Sequence, residues 1–407
     1  MKKVEYLEIE GNSRGFWTLA GILGLIAAFG LGAAYTMEHA GHWITGMSNQ
    51  VIWGTPHVFA VFLIVAASGA LNIASMGTVF NRHVYQPLGR LSSLLAIALL
   101  VGGLIVLVLD LGRPDRLIVA MTTYNFKSIF AWNVILYTGF IAITGVYLWF
   151  QMDRTMGKYY KIAGYAAFVW RLILTTGTGA IFGFIVARDA FDSAIYPPMF
   201  IINSFAYGMA FFILVLFAAY KWTGRPLGDK IVNRLRNMLG VFVAAAFYFL
   251  AVYHLTGLYH TERHGIEAFI LRDGGIYTKL FWVGQVIIGM LIPMAIVWCP
   301  RPRNSRAMIA AASTLVILGG LSQMYVTLIG GQAYPLNIFP GYEVVGSSFF
   351  DAGVNEYSPS LFEVMLGIGG IAIAMLAVTF GVKILRFLPT DLSDKVVDPH
   401  HTKEASA

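Results

Sequence analysis

The chain has 407 residues, of which 57% are hydrophobic and only 12% charged. A soluble domain carries roughly twice that charged fraction, so a large soluble core is excluded and a polytopic membrane protein is indicated. The net charge of +7 reads as membrane topology rather than nucleic-acid binding. The single cysteine, Cys299, excludes an iron–sulfur cluster or an internal disulfide built by this chain alone.

The opening stretch MKKVEYLEIEGNSRG is polar and reads as a tail, residues 1–15, with no cleavable signal sequence. A bilayer core needs about 20 apolar residues per helix. Ten segments meet that need: Phe16–Met37, His57–Val79, Leu88–Leu109, Phe130–Phe150, Tyr160–Val186, Met199–Tyr220, Met238–Tyr259, Thr278–Trp298, Ala307–Ile329 and Leu361–Leu385. Residues 16–387 are thus expected to form an all-α integral membrane domain, with a second tail at 388–407. Apolar and polar residues do not alternate as they would in a β-barrel.

Lys and Arg favour the cytoplasmic side of a membrane. Taking the two tails and alternate connections together gives 20 of the 28 Lys and Arg residues; the other connections hold 7, and Arg171 lies inside a span. Both termini are therefore expected in the cytoplasm of a bacterial cell, with the chain in its inner membrane. The outer side then receives the stretch MEHAGHWITGMSNQVIWGTPH, the LDLGRPDRL turn and the long connection from Gly330 to Ser360. The first and last of these carry no Lys or Arg and are long enough for a docking surface. The basic connection KWTGRPLGDKIVNRLRN reads as an anchor near anionic lipid.

Charge inside a bilayer is expensive, and it commonly marks function. Each Asp and Glu falls at a span end or in a loop, which argues against a deep carboxylate ion site. Arg171 is the lone charge deep within a span rather than near its end, read either as snorkelling to inner headgroups or as a station on a proton or quinol-headgroup path. Histidines gather on the outer side, at His39, His42, His57, His254, His260 and His264. Haem b would need a facing pair, for which only His57 and His254 are placed, and it is not expected. Asn72, Asn133, Asn203, Gln285 and Gln323 lie within spans and suit interhelical hydrogen bonds or a water chain.

At LVLDLGRPDRL, Asp110 ends the third span and Arg113 follows three residues later, a spacing that suits an ion pair; Pro114 keeps the helix from resuming. One reading is a polar cap. The other notes Trp53, Pro56 and His57 at the start of a span on the same side. A quinone site needs donors to its carbonyl oxygens, a proton route and an apolar slot.

These stretches resemble the NrfD/PsrC family of respiratory membrane subunits. DLGRPDR, VIWGTPHVFAVFLIVAASGALN, YPPMFIINSFAYGMA, FWVGQVIIGMLIPM, LVILGGLSQMYVTLIGGQ and YSPSLFEVMLGIGG match family segments in order across nearly the whole chain. The stretch around EHAGHWITGMSNQVIWGTPH, with GGQAYPLNIFPG, looks most like the DsrP branch, the quinone-interacting subunit of the DsrMKJOP complex of dissimilatory sulfur metabolism. One departure stands out: the Arg that many members carry soon after the Gly-Gly of the ninth helix is absent after Gly319-Gly320. The resemblance implies two four-helix bundles, helices two to five and six to nine, with helices one and ten outside.

It also implies electron exchange between a menaquinone or ubiquinone pool and a periplasmic ferredoxin-like iron–sulfur subunit, beside other membrane and cytochrome subunits. The chain itself carries no cluster and no C-x-x-C-H for c-type haem. The expected quinone site comprises Trp53, His57, Asp110 and Arg113, with Tyr325 a weaker member. His57 would donate to a quinone oxygen, Asp110 would orient it or take a proton, and Arg113 would hold Asp110. A second reading is proton translocation through Asn72, Arg171, His254 and Glu363. A third is a structural anchor or solute transporter, for which matched mid-span helix breaks would be the sign.

Overall fold

A computed structural model describes residues 4–153, 155–299, 305–336 and 353–397. Among them, ten helices are long and apolar enough to cross a membrane: α1 Arg14–Ala40, α2 Thr55–Thr78, α3 His83–Leu109, α4 Ile129–Met152, α5 Tyr160–Gly183, α6 Tyr196–Thr223, α7 Asp229–Tyr259, α8 Ile276–Trp298, α9 Arg306–Ala333 and α10 Leu361–Ile384. Their starts follow local chemistry. Ser13 caps α1 by accepting from Phe16 N at 3.1 Å, and Ser305 caps α9. Pro56 and Pro197 stand in the first turns of α2 and α6, where a missing N–H costs nothing. The expected start of α7, Met238, is nine residues late, because Lys230, Arg234 and Arg236 depress hydropathy while the helix continues through them.

The chain is all-α, with one two-residue strand pair between Tyr6–Leu7 (β1) and Leu388–Pro389 (β2) among the described residues. This pairing brings both termini to one end, called inner below. Helices α2 to α5 pack as one ring and α6 to α9 as another; α10 lies on α2 and α3, and α1 on α10. The arrangement is the two bundles with flanking helices that the resemblance implied. The two rings meet chiefly where α2 crosses α6. There a Cβ on Gly69 would lie 1.6 Å from Ser204 O, and one on Gly208 would lie 2.1 Å from Ala70 N. Hydrogen in place of a side chain lets the two backbones touch, the means by which membrane helices pack without a hydrophobic drive.

Helix α2 is interrupted at Leu71, between Ala70 and Asn72. The Ser92 hydroxyl of α3 bridges the gap, donating to Ala70 O at 2.7 Å and accepting from Ala74 N at 3.1 Å. Polar backbone freed inside a bundle needs such a partner. Stretches Leu280–Leu291 of α8 and Val326–Gly330 of α9 widen to π-helix. The sequence reading anticipated none of these irregularities.

Candidate functional site at the outer end of the first bundle

Pro56 sets the first turn of α2, so His57 stands at that helix's outer start. Helix α3 stops at Asp110 because Gly112 takes φ +69°, a left-handed turn that favours glycine. The two ends adjoin, and His57 Nδ1 lies 2.6 Å from Asp110 Oδ2. The Asp110 side chain is fully buried. The contact has ion-pair distance but not hydrogen-bond alignment, and both Asp110 oxygens lack an aligned partner. A buried carboxylate with unspent acceptors is costly unless something uses them. The carboxylate at the C-terminus of α3 opposes that helix's dipole, so it does not stabilise its own helix end, and its near neighbour is the His57 imidazole.

Trp53 completes an aromatic wall. Its ring stacks 6.4 Å from His57, with Phe130 at 5.8 Å and Phe182 at 5.9 Å. Phe130 faces outward from the bundle, at 47% exposure, so the wall reaches the side where lipid would lie.

Three expected site residues stand differently. Arg113 does not hold Asp110. The turn at Gly112 sends it outward to Asp115, whose carboxylate it meets with two 3.1 Å hydrogen bonds. That guanidinium holds Asp115 below the usual carboxylate range. Tyr325 packs between Tyr277, 6.2 Å away, and Tyr357, 6.3 Å away. Glu363 is wholly buried in a clasp that sequence reasoning missed. It accepts from Tyr357 OH at 2.6 Å, Gly46 N at 2.8 Å and Ser360 N at 2.7 Å. Tyr357 OH in turn accepts from Thr55 N at 2.7 Å. A Cβ on Gly54 would strike Glu363 Oε1 at 2.3 Å. Helix α10 thereby ties down the loop that presents Trp53 and His57. Replacing Glu363 by Gln keeps one oxygen for the Gly46 and Ser360 donors but turns an N–H₂ on the Tyr357 hydroxyl, which loses its carboxylate acceptor, and is expected to remove about 1–3 kcal/mol of stability. Thermal unfolding in detergent checks this; an unchanged midpoint refutes it.

The other polar residues divide between the bundles. Arg171 does not snorkel: at 2% exposure it donates to Ser68 O at 3.2 Å, between the rings of Phe168 and Phe205. Nor is it the lone buried charge, since Asp110, Arg236, Glu267 and Glu363 are buried too. Asn72, at the α2 interruption, has a buried Nδ2 without a partner. Asn133 and Gln323 do bridge helices, to Gly177 O and to Tyr207 OH. His254 belongs to the second bundle, where its Nδ1 lies 2.7 Å from Glu267 Oε2, a partner also missed from the sequence. His57 and His254 are thus engaged with separate carboxylates. A cavity of about 320 Å³ opens at the inner mouth of the first bundle, lined by Gln86, Arg90, Tyr147, Gln151 and Tyr160 among others. Residues 337–341 of the outer stretch GGQAYPLNIFPG, and the connection onward to residue 352, lie outside the described residues.

Relatives extend along the whole chain. The Hdr-like menaquinol oxidoreductase integral membrane subunit of Archaeoglobus fulgidus is 30% identical, over 97% of this chain and 99% of that protein. A subunit of the selenate reductase of Mesobacillus selenatarsenatis is 24% identical, over 94% and 96%. The menaquinone reductase integral membrane subunit of Nitratidesulfovibrio vulgaris is 21% identical, over 77% and 81%. The family described as polysulphide reductase, NrfD, matches residues 43–335, which hold both bundles and the His57–Asp110 pair. The chain is an integral membrane protein of the NrfD family.

Proposed function

We propose that this chain is the quinone-interacting membrane subunit of a respiratory redox complex. It passes electrons between the quinone pool and an iron–sulfur partner docked on the outer face. The observation that carries the reading is the buried Asp110 carboxylate with unused acceptors, set against His57 beneath Trp53. Relatives named for menaquinol and menaquinone chemistry support it and favour menaquinone. The DsrP-like outer loops favour a partner assembly of the DsrMKJOP kind in dissimilatory sulfur metabolism. The basic residues of the tails and inner connections favour cytoplasmic termini in a bacterial inner membrane.

Quinol oxidation releases two electrons and two protons. The electrons would leave to a cluster on the partner, because the single cysteine, Cys299, cannot hold one alone. His57, with Nδ1 turned to Asp110, offers Nε2 to a quinol hydroxyl and takes one proton; Asp110 offsets the imidazolium charge. The second proton leaves to water at the outer loops. Reduction runs the same steps backwards. Trp53 stands beside His57 as the fixed aromatic face on which a headgroup stacks, and the isoprenoid tail stays in lipid. Titrating the purified complex with a menaquinone analogue, read by quenching of protein fluorescence, tests the reading. Saturable binding that quinol displaces is expected; its absence overturns the proposal.

A second reading, proton movement across the membrane, has one observation in its favour. From the inner cavity a file of polar groups climbs the first bundle. Tyr147 OH meets Thr78 and, at 3.2 Å, Ala74 O. Asn72 follows, then Thr175 Oγ1 at 2.6 Å from Ser68 Oγ beside Arg171, then Thr178 Oγ1 at 3.4 Å from Asn133 Oδ1. Asn72 and Arg171 stand in this file, whereas His254 and Glu363 do not. In proteoliposomes, Arg171→Leu is expected to abolish quinone-driven proton uptake while leaving analogue binding intact. Undiminished uptake excludes the file.

A further inference from the structure

The loop that carries Trp53 is held by the other bundle. Gln332, at the outer end of α9 and 3% exposed, reads the Trp53 backbone from both sides. Its Oε1 accepts from Ile52 N at 2.9 Å and from Trp53 N at 3.0 Å. Its Nε2 donates to Trp53 O at 3.1 Å and to Leu328 O at 2.8 Å. The amide is fully satisfied, so it fixes the Trp53 main chain in one place and one orientation. Arg188, from the α5–α6 connection, braces the arrangement: one Nη donates to Gln332 O at 2.8 Å and the other to Gln50 O at 3.0 Å.

A second line of contact runs in parallel. The site on Gly331 where a Cβ would stand is 2.7 Å from Phe191 Cε1. Phe191 packs 5.5 Å from Phe182, which packs 5.9 Å from Trp53. The π-helical turn Val326–Gly330 ends two residues before Gln332. A widened turn shifts the phase of every residue after it, and it aims Gln332 across the bundle boundary.

Resting on the quinone reading above, we infer that Gln332 is a positioning residue for the quinone headgroup: the second bundle sets the place of Trp53 in the first. Gln332 touches neither His57 nor Asp110 and takes no part in proton transfer. Its effect passes through the indole. An indole displaced by about 1 Å misplaces whatever it stacks on, which costs a reaction one to two orders of magnitude.

The test uses the intact complex. Gln332→Met keeps the side chain's length and removes its hydrogen bonds; Gln332→Glu keeps the acceptor and puts an oxygen against two carbonyls. Both are expected to raise the dissociation constant of a menaquinone analogue about tenfold or more. Trp53→Ala, which removes the ring, is expected to weaken binding as well. The double variant Trp53→Ala with Gln332→Met should bind no worse than Trp53→Ala alone, since Gln332 acts through the indole. A role in stability alone would lower the unfolding midpoint and leave the dissociation constant of the folded fraction unchanged. That result, or additive losses in the double variant, overturns the inference. If His57→Ala and Asp110→Asn abolish binding while Gln332→Met does not, only the positioning role fails. If none of the five single variants changes binding, the quinone site itself fails.

Discussion

Asp110→Asn is expected to reduce quinone turnover at least a hundredfold while leaving the fold intact. The substitution keeps size and one acceptor but removes the charge that offsets an imidazolium on His57. A positioned proton acceptor contributes about 10²–10⁴ in rate, and here both members of the pair are needed for it. The expected stability change runs the opposite way. Asp110 is buried at a helix C-terminus, against the dipole, without an aligned hydrogen bond. Neutralising it lifts a desolvation penalty as it removes the attraction to His57, so the unfolding midpoint should hold or rise. His57→Ala should match the loss of turnover and lower stability, because it strands the carboxylate. A loss of activity paired with unimpaired stability in Asp110→Asn separates chemistry from structure. Equal losses of both would mark Asp110 as a structural residue.

The other large effect lies far from that pair. Gly208→Leu is expected to prevent the two bundles from closing on each other. A Cβ there would lie 2.1 Å from both Ala70 N and the Gly69 carbonyl carbon, all of it backbone. No rotamer change relieves a clash with main chain, so α2 and α6 must separate, and the core between them opens. Overpacking typically costs about 1–3 kcal/mol where side chains can yield; with backbone on both sides the loss is larger, and the variant should fail to accumulate in membranes. Gly208→Ala carries the same first carbon and is expected to assemble poorly too. Folded, active Gly208→Leu protein at normal abundance would refute the crossing.

The ten spans were legible because hydropathy records the solvent each residue meets. The α7 start was not, because a helix leaving the bilayer keeps its hydrogen bonds while its side chains turn basic, as Lys230 and Arg234 do. His57 and Asp110 were legible as neighbours, since both stand at helix ends on one side. Arg113 misled: it was expected to pair with Asp110 three residues back, and Gly112 at φ +69° turns it away to Asp115. Glu267, Tyr357 and Gln332 escaped notice for another reason. Their value comes from contacts with His254, Thr55 and Trp53, the last two reaching across about 280–300 residues of sequence. Local patterns carry no record of such pairings.

Photolabelling tests the central claim most directly. Membranes bearing the assembled complex would be irradiated with an azido-menaquinone, and the labelled peptides mapped. The account predicts label on the segments holding Trp53 to His57 and Leu107 to Arg113, lost when excess menaquinol competes. Competable label confined to α6–α9, with those segments bare, would contradict it.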